Sequence, residues 1–149
     1  QGGSLVFRLH VQGRSAHACV RDEGVSAIEK YYLLHQAMAA FERQRNASID
    51  HPLYAQIDNK IPINIGNMRA GNWPSSVPEF AVVEGRAGLV PGEDLDEFKA
   101  SFARMIQEAA EADPWLAEHP LVAGGVSGEI KGGFARNASG ARGAQPWGG

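Results

Sequence analysis

The chain has 149 residues, of which 44% are hydrophobic and 21% charged, enough to bury a core as one domain or one domain with a tail. Fourteen basic and 17 acidic side chains leave a net charge of −3 with both signs interspersed, so there is no basic stripe of the kind that nucleic acid requires. A single cysteine, Cys19, rules out a disulfide framework and a thiolate metal cluster. No apolar run approaches the ~20 residues of a membrane span, and the opening residues lack the pattern of a signal peptide; the expected compartment is the cytoplasm.

Residues 5–12, LVFRLHVQ, alternate, with Leu5, Phe7, Leu9 and Val11 on one side and Arg8, His10 and Gln12 on the other. That pattern predicts a half-buried strand, ended by Gly13. A small-residue loop carrying His17 follows. Over residues 25–45 the period changes: Ala27, Tyr31, Leu34, Met38 and Phe41 step by four and three, with Ile28 widening the stripe, and predict an amphipathic helix. Residues 46–61 read as a long polar connection. Residues 62–70 and 79–90 read as two strands, joined across the turn-rich AGNWPSSVP to form a hairpin with a long tip.

The segment 91–113 predicts a second helix. Asp94 is its N-cap, Glu97 completes a capping-box pattern, and Leu95, Phe98, Phe102, Met105 and Ala109 form its stripe. Pro114 is expected to stop it, and a short strand to follow near 119–126. Residues 123–149 hold nine of the 18 glycines; after the last strand residues, 134–149 are expected to be a mobile tail. The domain proper is therefore 1–122. The order β-α-β-β-α-β predicts an α+β, ferredoxin-like fold: an antiparallel sheet with two helices on one face. Fold alone names no function.

Chemistry is sparse. His10, His17, His35, His51 and His119 show no HExxH, HxH or comparable zinc-ligand spacing, so no metal site is expected within this chain. Ser75 and Ser76 lie outside any nucleophile-elbow motif. Cys19 reads as a small packed residue rather than a partner of His17. On the residues alone, His17 is either a solvated loop histidine or a catalytic group, and the tip is a plain connection whose Trp73 packs somewhere.

Three stretches, GGSLVFRLHVQGRSAHA, EGVSAIEK and GNWPSSVPEFAVVEGRAGLVPGED, together resemble the dimerisation, or lid, domain of a family of zinc-dependent deacylases and peptidases. That family includes acetylornithine deacetylase, succinyl-diaminopimelate desuccinylase, aminoacylase and carboxypeptidase G. The likeness spans about residues 2–122 and includes, in order, G-x-x-x-H-A, the V-P after the hairpin tip and P-x-E-D before the second helix. It implies a domain inserted in a catalytic domain that holds two zinc ions, pairing with its twin as a homodimer. It implies that His17 reaches the partner subunit's active site, where the substrate is a small N-acylated amino acid or peptide. Family members often carry an asparagine just before the V-P of the tip, contacting substrate; Ser76 stands there, with Asn72 nearby. Arg86 matches an arginine close to substrate carboxylates, a solvated strand arginine being the plainer reading. Zinc-ligand segments flank the domain in the family and are missing here on both sides, so hydrolysis by this chain alone is not expected. The other reading is a free-standing homodimerisation module with no catalytic role.

Overall fold

A computed structural model describes residues 3–50, 52 and 56–125. Four strands form one antiparallel sheet in the order β2-β3-β1-β4: β1 Ser4–Gln12, β2 Ile63–Ala70, β3 Phe80–Gly88 and β4 Val122–Gly125. Two long helices, α1 Ala27–Ser48 and α2 Leu95–Glu111, pack on it and on each other. The expected ferredoxin-like fold is the one observed. The expected tail at 134–149 lies outside the described residues.

In β1 every second residue, Leu5, Phe7, Leu9 and Val11, is buried, while Val6, Arg8 and His10 between them are half-buried on the opposite face. The two central strands run in unbroken register from Ser4 opposite Gly88 to Gln12 opposite Phe80. The core lies between this face and the helices. Phe7 and Phe102 pack with ring centroids 4.7 Å apart, and Phe98 and Phe41 surround Phe102.

Ser26 caps α1, its hydroxyl accepting from the Glu29 amide. Ala27, Tyr31, Leu34 and Met38 are buried as their spacing predicts, but Ile28 is 44% exposed. One position is ~100° of helix rotation, which carries Ile28 off the contact face. The helix also runs further than its stripe, to Ser48, where Asn46 accepts from the Lys60 and Ile61 amides and folds the connection back.

Asp94 caps α2, accepting from the Asp96 and Glu97 amides. The buried ridge of α2 is Phe98, Phe102, Ile106 and Ala110. It departs from the expected stripe because α2 packs against two neighbours. Steps of four follow the sheet, while Met105 and Ala109 turn towards Ala37 and Phe41 across the α1–α2 groove, and Leu95 is exposed.

Pro114 does not simply end α2. It opens a short helix, α3 Pro114–Glu118, at a first-turn position where its missing amide costs nothing. Asp113 is the cap. It accepts from the Leu116 amide at 3.0 Å and pairs with Lys30 Nζ at 2.8 Å, tying α3 to α1.

Candidate functional site

β1 ends where the chain must turn sharply, and the turn is built against the hairpin tip. The Gly13 amide donates to the Glu79 carbonyl, and a Cβ at Gly13 would lie 2.3 Å from the Val25 carbonyl oxygen and 2.7 Å from that of Pro78. Only glycine fits there. Arg14 and Val25 then exchange two backbone hydrogen bonds of 2.8 Å, closing the neck of a loop that contains His17.

The loop leans on the tip. The Ala18 amide donates to the Ser75 carbonyl and the Val77 amide to the Ala16 carbonyl, both at 2.8 Å, so that His17 and Ser76 stand opposite each other as a one-residue antiparallel bridge. His17 is exposed and Ser76 half-buried. Ala18, Arg21 and Ser76 border an open groove of about 990 Å³ that runs along Ile28 and Val77 to Trp115.

His17 caps a two-turn 3-10 segment, Ala18–Glu23, kinked at Val20. Its Nδ1 accepts from the Cys19 amide at 3.1 Å. A ring nitrogen that accepts carries no proton, so in the neutral ring the proton sits on Nε2, as a donor turned away from the cap.

The structure thus brings His17 and Ser76 together. Asn72 is exposed on the same tip. Arg86 stands elsewhere: it is exposed on the face of the sheet opposite α1 and α2, paired with Val6 and Asn64, six residues along β3 from Phe80. At ~3.4 Å per residue that is roughly 20 Å from the tip end of the strand. Beside it Glu84 accepts from Arg8 and Asn67, whose hydrogen bonds hold its carboxyl below the usual range. His10 lies on the same face, and burial lowers its pKa.

Two expectations fail here. Cys19 is exposed rather than packed, because the 3-10 segment lies outside the core. Trp73, on the tip, is 66% exposed rather than packed away. Arg14 and Trp115 meet across the fold, the guanidinium 5.1 Å from the ring centroid, and carry no local signal in the sequence. Among the described residues, no three His, Cys, Asp or Glu side chains converge as metal ligands would.

Residues 1–114 match the family model of the M20 peptidase dimerisation domain. The chain belongs to that family. No curated protein matches this dimerisation domain. Among solved structures, the aminobenzoyl-glutamate utilization protein of Klebsiella pneumoniae is 19% identical over 85% of the chain, with a TM-score of 0.54. A putative amidohydrolase/peptidase from Burkholderia cenocepacia is 15% identical over 80%, at 0.56. The aminopeptidase PepT of Bacillus cereus is 19% identical over 82%, at 0.51. The likeness is one of fold. The domain spans 28%, 26% and 29% of those chains respectively, less than a third of each. No described helix is long and apolar enough to cross a membrane.

Proposed function

We propose that this domain pairs two copies of a zinc-dependent amidohydrolase, a deacylase of N-acyl amino acids or a peptidase, and lends His17 to the partner's active site. One observation carries the reading: an exposed imidazole, its Nδ1 engaged by the Cys19 amide, is left with Nε2–H as an outward donor on a braced loop. Attack of metal-activated water on an amide puts negative charge on the carbonyl oxygen. A fixed donor aimed at that oxygen typically contributes ~3–4 kcal/mol. The two zinc ions would belong to the catalytic domain, outside this chain.

Ser76, beside His17, and Asn72 on the tip are the proposed substrate contacts in the partner's site. Arg86 is the proposed contact for a substrate carboxylate. Because Arg86 lies roughly 20 Å along β3 from the tip end of that strand, Arg86 of one copy would serve a different active site from His17 of the same copy. The neighbouring antiparallel strands β1 and β4, with Phe7 opposite Gly125, put chain entry and exit side by side, as a domain inserted in a larger chain needs.

In the full-length enzyme, His17→Ala is expected to lower kcat about 100- to 1,000-fold without affecting dimerisation. Mixing it with a metal-site variant should recover activity, because one site of each mixed dimer combines two intact halves. Normal turnover in His17→Ala, or no recovery on mixing, would refute the role in trans.

A further inference from the structure

The 3-10 segment that carries the Cys19 amide is held at both ends by side chains. At its start His17 Nδ1 accepts from Cys19. At its end the Glu23 carbonyl, one of the groups a helix terminus leaves without an internal partner, accepts from Arg14 Nε at 3.1 Å. The orientation of the imidazole and the integrity of this segment are therefore the same structural problem.

Arg14 is itself fixed twice. Its backbone is bonded both ways to Val25. Its guanidinium lies over the Trp115 ring, 5.1 Å from the centroid. Trp115 is anchored in turn, by donation from its indole N–H to the Gln12 carbonyl at 2.8 Å and by stacking on His119 with centroids 3.5 Å apart. A chain of contacts thus runs from α3 through Trp115 and Arg14 to Glu23, and through the 3-10 segment to His17. Small residues complete it: a Cβ at Gly24 would come within 2.9 Å of the Ala16 side chain and 3.1 Å of Val77, so the loop and the tip touch directly there.

We infer that Arg14, seated on Trp115, is a positioning residue for His17: it caps the far end of the 3-10 segment and thereby holds the imidazole with Nδ1 on Cys19 and Nε2–H outward. No covalent or acid–base role falls to Arg14. The catalytic consequence rests on the function proposed above; the positioning itself does not.

The test therefore begins with this chain. In protein carrying ¹⁵N-labelled histidine, His17 is expected to show an unprotonated Nδ1 and a protonated Nε2. In Arg14→Ala the two nitrogen shifts should move towards the averaged values of an imidazole exchanging tautomers. The Cys19 amide should exchange about five- to tenfold faster, as loss of one hydrogen bond implies, while amides of β1 and β3 stay protected. Trp115→Ala should shift His17 the same way, and decides the matter alone if Arg14→Ala does not fold. Unchanged His17 shifts in the folded variants overturn the inference. In the full-length enzyme Arg14→Ala should lower kcat by about three- to tenfold with KM unchanged. Full turnover in His17→Ala would remove the proposed function while leaving the ring signature to judge Arg14.

Discussion

His17 occupies a position that only a short list of residues makes possible. Gly13 lets the strand end run against Val25 and Pro78, and Gly24 lets the loop close on Ala16 and Val77. Any side chain at Gly13 must push two backbone carbonyls apart. Gly13→Ala is therefore expected to destabilise the chain by about 2–4 kcal/mol, read as a lower midpoint in urea; a change under half that would mean the backbone yields more easily than these contacts imply. The neighbouring alanines and serine, at 15, 16 and 18, carry too little bulk to cover the imidazole, which is why His17 stands exposed.

Among the described helices, α3 is the shortest and the most dependent on one side chain. Burial opposes ionisation of Asp113, but hydrogen bonds from Lys30 and from the Leu116 amide, together with the Lys30 charge, outweigh it and hold the carboxyl below its usual range. A carboxyl lower in the folded than in the unfolded chain adds stability above the unfolded value of ~3.9, and that stability is lost as pH falls through the folded value. Asp113→Ala should cost ~1–2 kcal/mol at pH 7. The gap to the unaltered chain should narrow on acidification below about pH 4. Thermal melts of the two chains at pH 7 and pH 3 check this, and a gap that widens in acid would contradict it. The longer helices lean less on their caps, because each also contributes a buried ridge to the core.

At the scale of the molecule, the sheet has two open edges among the described residues, β2 and β4, and an unpaired edge invites a second copy. Edge strand β2 leaves Met68 exposed, and α1 leaves Ile28, Tyr32 and Leu33 exposed, more apolar surface than a lone helix face needs to show. A two-fold dimer, with an edge strand or the first helix at its interface, is the expected association. Light scattering at high micromolar concentration should give twice the chain mass, and a monomer there would count against it.

What the sequence by itself determined was which residues turn inward. The period of two in 5–12 and the steps of four and three in 27–41 marked the buried sides of β1 and α1, and Asp94 marked the start of α2. The G-x-x-x-H-A stretch singled out His17, and the breakers at 70–78 the tip. Periodicity reports that a side is buried, not against what. It could not show that α2 divides its ridge between the sheet and α1, nor that a proline begins α3 rather than ending α2. The sheet order and the meeting of His17 with Ser76 likewise arise from backbone bonds between segments far apart in the chain. Those bonds leave no local pattern, because any residue's amide and carbonyl can make them. The donor that His17 presents was therefore decided by the Cys19 amide and the tip, in the folded chain alone.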